Sequence, residues 1–160
     1  MSHHEIHLYN AYSGMNPRER NELVKFLVKH SPLDNRQYIG GAIDYALKVK
    51  PSFGGFIVTA QDGDSLVAAV VANKTGLEGY GPAYVLAYAA FHPEVANCDM
   101  LVQQVFRKVS ACADGDISMR LAPRSPALKL FKKIGFKSEY VELRLHKAAP
   151  AVASEIQATK

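Results

Sequence analysis

Residues 53–74 constrain the fold more than any other stretch of the chain. Two apolar runs, Phe53 to Ala60 and Ser65 to Lys74, flank Gln61-Asp62-Gly63-Asp64. Asp-Gly supplies the positive φ angles that a two-residue hairpin turn requires, so the runs are expected to pair as antiparallel strands. The second run is nearly all Ala and Val. A strand with one wet face alternates apolar and polar residues, whereas unbroken apolarity predicts burial on both faces. The sheet built on this hairpin therefore needs helices over both sides.

The rest of the chain offers them. Glu5 to Tyr9 alternates weakly as a first strand, and Ser13-Gly14 breaks it. Asn16-Pro17-Arg18-Glu19 reads as a helix start: Asn16 caps, Pro17 suits the first helical position and Glu19 closes a capping box. That helix is expected to reach His30, burying Leu23, Val24, Phe26 and Leu27, before Ser31-Pro32 ends it. Asp34 is the expected cap of a second helix to about Val49, with Ile39, Ala42, Ile43 and Ala46 as its apolar stripe. Gly40-Gly41 inside it costs about 1 kcal/mol per glycine relative to alanine, and fits either a tight helix crossing or a mobile segment over a pocket.

Thr75 to Pro82, with three glycines and Tyr80, reads as a loop, and Tyr84 to His92 as a strand. Asp99 is the expected cap of a helix to about Ala113, with Leu101, Val102, Val105, Phe106 and Val109 on one face. Ile117 to Leu121 reads as a strand, and Phe136 to His146 as the last one, with Val141, Leu143 and Leu145 alternating. The expected fold class is one mixed α/β domain over residues 1–147, a central twisted mixed sheet flanked by about four helices. Residues 148–160, rich in Ala, Thr and Ser, read as a flexible tail.

Composition narrows the partners. The chain has 160 residues, 48% of them hydrophobic, which is enough for a real core, and a formal charge of +4. Its basic residues are scattered without a run of like charge and without interleaved aromatics, which ranks nucleic acid last among partners. No apolar run approaches the roughly 20 residues that span a bilayer, so no membrane partner is expected. Cys98 and Cys112 are the only cysteines; they fit a reducing compartment, and the expected location is cytoplasmic. His3, His4 and His7 lie close in sequence, but nothing nearby completes a ligand set, and no metal site is expected.

Ser125 to Phe136 carries the sharpest motif. Ala127, Leu130, Phe131 and Ile134 make one apolar stripe at helical spacing, with Lys129, Lys132 and Lys133 on the other side. Gly135 stops the helix and Phe136 follows it. This resembles the C-terminal signature of the GCN5-related N-acetyltransferases: asparagine, two residues, alanine, two residues, leucine, tyrosine, three residues, glycine, phenylalanine. Ala127, Leu130, Gly135 and Phe136 match. Arg124 stands at the asparagine and Phe131 at the tyrosine.

The order of elements from residue 5 to residue 146 is also similar to that family's. Its strand–loop–helix motif resembles Val-His-Pro-Glu-Tyr-Arg-Gly-Lys-Gly-Ile-Gly, and Phe91-His92-Pro93-Glu94 fits its beginning. The resemblance implies an acyl-CoA N-acyltransferase fold that uses acetyl-CoA or another acyl-CoA. It places the cofactor along Ala90, Phe91 and His92, over the loop Ala96, Asn97, Cys98, Asp99, Met100 and Leu101, and against Arg124 and Ala127. In the family, glycines let backbone amides close on the cofactor's pyrophosphate at the start of the next helix. Here Ala96 replaces the arginine, while Asp99 and Leu101 replace glycines, and Asp99 adds a negative charge.

Catalytic groups are not assigned by the motif. Counting back from Phe91 gives Ala89, Ala87 and Val85 on one face of the strand, none of them a base, with Tyr88 and Tyr84 on the other. Phe131 lacks the hydroxyl that would protonate a departing thiolate. The resemblance implies acyl transfer to an amine, small molecule or peptide, with an atypical pyrophosphate loop. The alternative is an inactive relative serving as a binding or regulatory module. A homodimer is compatible with either.

Overall fold

A computed structural model describes residues 3–31, 36–50, 52–77, 79 and 81–148. The elements run β1 (His4–Asn10), α1 (Pro17–His30), α2 (Arg36–Ala46), β2 (Gly55–Asp62), β3 (Ser65–Lys74), β4 (Tyr84–Phe91), α3 (Asp99–Cys112), β5 (Ile117–Ser118) and α4 (Ala127–Lys133). The strands form one sheet in chain order. β1 to β4 are antiparallel, and β5 joins β4 in parallel. This is the mixed α/β class the sequence implies.

The hairpin forms as the apolar runs require, shifted by one residue. Asp62 pairs with Ser65, so the loop is Gly63-Asp64, with Gly63 at φ 62°. β3 is buried on both faces from Val67 to Ala72. Phe56, Val58, Ala68, Val70 and Ala72 pack with α3 and α4, whereas Ile57, Ala69 and Val71 pack with α1 and α2.

The capping box of α1 is present: Glu19 N–H donates to Asn16 Oδ1 at 2.8 Å and Asn16 N–H to Glu19 Oε1 at 3.1 Å. α1 buries the four expected residues. α2 stops at Ala46 rather than Val49, and the expected cap Asp34 lies outside the described residues. Gly40 makes a tight crossing: Arg20 Nη2 approaches its carbonyl at 3.5 Å while that guanidinium forks onto Asp44. Tyr80 and residues 149–160, with the expected tail, are outside the described residues. Among the described residues no helix is long and apolar enough to cross a membrane.

Three expectations are corrected. The strand at Ile117 pairs over two residues and does not continue to Leu121. The expected last strand over 136–146 is absent; Lys137 to Ala148 are all exposed without strand pairing. Alternation alone does not make a strand, because ladder bonds need a partner edge. Finally, Asp99 does not cap α3. Cys98 occupies the cap position without a side-chain hydrogen bond, and Asp99 is the first helical residue.

Candidate active site

The site begins where β4 and β5 part. They pair only at Tyr84–Ile117 and Val85–Ser118. Beyond Val85, β4 runs on to Phe91 with its ladder bonds made to β3 alone. Its other edge, from Leu86 to Phe91, pairs with no strand, and the wedge is the space between it and the chain leaving β5. Peptide groups on such an edge can pair with an extended amide-bearing ligand.

A bulge sets which side chains flank the wedge. The β3–β4 register shifts between Val71 and Ala72, inserting Ala87 as an extra residue. Tyr84 and Leu86 therefore pack toward α3, and Ala89 and Phe91 do so too; Tyr88 and Ala90 pack toward α1 and α2. Tyr84 and Tyr88 thus lie on opposite faces, not on one as simple alternation implies. Val85 and Ala87 supply no acid or base.

The connection after β4 is a tight helical turn. Val95 and Ala96 N–H both donate to the His92 carbonyl, at 2.9 and 3.0 Å, and Cys98 N–H to the Val95 carbonyl at 2.8 Å. Glu94 N–H donates to His92 Nδ1 at 3.2 Å. These amides are committed internally. The amides of Asp99, Met100 and Leu101 open α3, where a helix leaves its first N–H groups without partners inside the helix. Leu101 is buried in the core, whereas Met100 is exposed beside these amides.

The Asp99 charge is balanced. Lys133 Nζ lies 2.7 Å from its Oδ2, joining the last residue of α4 to the first of α3. The expected basic partner Arg124 is exposed on the turn before α4, at the other end of a seven-residue helix and so about 10 Å away along its axis. Ala127, half-buried, opens that helix, its N–H donating to Ser125 Oγ at 3.2 Å. Ala90 to Leu101 thus run from the end of β4 into the first turn of α3, while Arg124 and Ala127 lie at the start of α4.

Phe131, at the position of the family's tyrosine, is a core residue. It is 3% exposed and meets Phe106 and Phe136 edge-on, with centroids 5.5 and 5.6 Å away. Phe91 joins the same layer through Phe106. Gly135, at φ 115°, turns the chain so that Phe136 closes this layer.

The opposite face carries titratable groups whose juxtaposition sequence reasoning missed. His92 lies on the α1 side, its ring 5.3 Å from that of His30 at the end of α1, and His30 stacks on Phe26 at 4.6 Å. Burial, then the neighbouring His92, holds the His30 imidazole below its ordinary pKa. It is therefore neutral at pH 7, with a lone pair available to accept a proton. Further along, Tyr9 donates to Glu19 Oε2 at 2.8 Å, and burial, with that carboxylate second, pushes the phenol up to about 12. Phe26-x-x-x-His30 on one helix face was the visible signal for His30; nothing local marked His92 as its neighbour.

No family model and no curated protein matches the chain. Solved structures do. The aminoglycoside N-acetyltransferase AAC(6')-Iy in complex with CoA shares 13% identity, with 93% of this chain and 97% of that one covered and a TM-score of 0.65. A ribosomal-protein-alanine N-acetyltransferase from Brucella melitensis biovar Abortus 2308 shares 14%, with 91% and 100% covered, at 0.58. A transcriptional regulator from Bacillus halodurans C-125 shares 14%, with 89% and 100% covered, at 0.59. At such identities the likeness speaks for the fold, and with the parted strands, the bulged β4 and the helix–glycine–phenylalanine motif it leads to one conclusion: this chain has the fold of the GCN5-related N-acetyltransferases.

Proposed function

We infer that the chain is an acyl-CoA-dependent N-acyltransferase acting on an amine. The observation that carries this reading is the parting of β4 and β5 after Val85, which leaves a peptide edge open beside a helix N-terminus. The residues present fit the cofactor. The edge from Leu86 to Phe91 suits the two amides of a pantetheine arm. The first amides of α3 suit a diphosphate, with the Asp99 carboxylate held by Lys133. Acyl-CoA, when bound, supplies the activated acyl group.

The chain's own part is to position and to take a proton. Aligning an amine against a bound thioester removes much of the barrier without a special residue. The neutral His30 imidazole, which meets His92 just beyond the end of β4, is the base this reading assigns to the amine's proton. Phe131 has no hydroxyl to protonate a leaving thiolate, so that proton must come from solvent or from the imidazole.

Calorimetric titration tests the reading. Acetyl-CoA is expected to give saturable heat, and S-acetyl-pantetheine to bind more weakly because it lacks the diphosphate. No heat from acetyl-CoA at millimolar concentration overturns it. A second reading, a binding or regulatory module, is favoured by the burial of Phe131. Tight acetyl-CoA binding with no transfer to any of a broad panel of amines would support that reading instead.

A further inference from the structure

A small cavity lies at the other side of the sheet from the wedge, between the first half of α1 and the strands β1 and β2. It measures about 10 Å³, room for one body the size of a water molecule. Five polar side chains line it: Tyr9 of β1, Glu19 and Glu22 of α1, and Thr59 and Gln61 of β2. The other lining side chains are apolar, and none of the lining residues carries a positive charge. Strand and helix periodicity bring the five together. Tyr9 pairs with Ile57, so Thr59 is its diagonal neighbour on the same face, and Gln61 follows two residues on. Glu19 and Glu22, three residues apart, share one face of α1.

Thr59 points to a ligand. It is 2% exposed. Its hydroxyl faces the Tyr9 phenol, yet its Oγ1 has no hydrogen-bond partner among the described residues. Buried hydroxyls ordinarily have one. The Tyr9 hydrogen is already given to Glu19 Oε2 at 2.8 Å, so the phenol oxygen has only lone pairs to offer. The carboxylates have one neutralising partner, Arg18, whose Nε lies 3.3 Å from Glu22 Oε1. Two carboxylates against one guanidinium leave one negative charge beside the cavity. Tyr9 feels that field: burial first, then Glu19 and more weakly Glu22, push its phenol up to about 12.

We propose that this cavity binds one monovalent cation the size of a water molecule, a potassium ion or an ammonium group, on the oxygens of Tyr9, Glu19, Glu22, Thr59 and Gln61. Oxygen ligands that include carboxylates suit a hard cation. A divalent ion is disfavoured, because one net negative charge does not balance it and no third acidic, histidine or cysteine side chain joins the group among the described residues. Water fits the space but leaves the charge unanswered. The cation ties the first half of α1, whose last residue is His30, to β1 and β2. The site does not depend on acyl transfer.

Thermal unfolding of the full chain tests this at about pH 8, where an ordinary imidazole is neutral. Ionic strength is held constant while choline chloride, whose cation is too large for the cavity, is replaced stepwise by potassium or ammonium chloride. One or both are expected to raise Tm saturably, by about 2–4 °C. The larger rise tells whether the site takes the bare ion or an amine head group. Thr59→Val removes Oγ1 with little change in volume and is expected to lose the rise. Glu22→Gln removes one charge at a half-exposed side chain and is expected to lose most of it; this variant carries the comparison should Thr59→Val fail to fold. No saturable rise overturns the proposal, as when water alone fills the cavity. So does a rise that either variant keeps in full, or a larger rise from calcium chloride at the same ionic strength.

Discussion

The two faces of the sheet are both dry, yet they bury different chemistry. Under α3 and α4 lie aliphatic side chains and a layer of phenylalanine rings, Phe91, Phe106, Phe131 and Phe136. Under α1 and α2, similar aliphatic packing surrounds Tyr9 and Thr59 and ends on the His30–His92 pair. The first face is a wall: its contribution to any reaction is to hold the wedge and the start of α3 in place. The second face holds the His30–His92 pair and the Tyr9–Glu19 hydrogen bond. With Phe131 in place of a tyrosine, the phenol left on this face is Tyr84, packed against Phe56; on the proposed reading the proton chemistry belongs to the other side.

The largest test of that contrast is Phe131→Ala. Emptying the centre of the ring layer is expected to cost about 3–5 kcal/mol, read as a lower urea midpoint with an unchanged slope. Phe131→Tyr sharpens the point. It places a hydroxyl among rings and is expected to cost about 1–3 kcal/mol if the group stays unpaired. It should bring no gain in acyl transfer; a faster reaction would show that this face can do chemistry after all.

A smaller effect probes the other face. Tyr9→Phe removes the hydrogen bond to Glu19 and is expected to cost about 1 kcal/mol, while the capping box of α1, made through the other Glu19 oxygen, persists. No change in the urea midpoint would mean that the polar groups of this face are as inert as the rings opposite.

The smallest effect is in pH. His30 binds its proton more weakly folded than unfolded, because burial and His92 disfavour the cation. The unfolded chain thus takes up more protons as pH falls below the ordinary value of 6.5. The contribution of His30 is complete above that value and is lost as pH drops through the folded pKa. Urea midpoints between about pH 8 and pH 5 should fall with acid, and less steeply in His30→Gln. Equal slopes in both chains would remove His30 from the set of perturbed groups.

Much of the scaffold was legible because it depends on local signals. Asn16, Pro17 and Glu19 marked the start of α1, Gly63 the hairpin and Gly135 the end of α4, each through a backbone requirement that few residues meet. The site was less legible. The bulge at Ala87 reverses the facing of β4 without any local mark, since Ala suits every position nearby. The Lys133 partner of Asp99 is 34 residues away, so an acid that looked unopposed is paired. The alternation from Phe136 to His146 is real, but no edge among the described residues meets it.

The sequence by itself determined the layered α/β sheet, the caps of its first helix and the Phe131 substitution in the terminal signature, because periodicity and turn chemistry act over a few residues. Only the tertiary structure decided where β4 leaves β5, which face each tyrosine takes, and that His30 meets His92. These depend on register and on contacts between distant segments, and a slip or bulge of one residue changes them while leaving every local pattern intact.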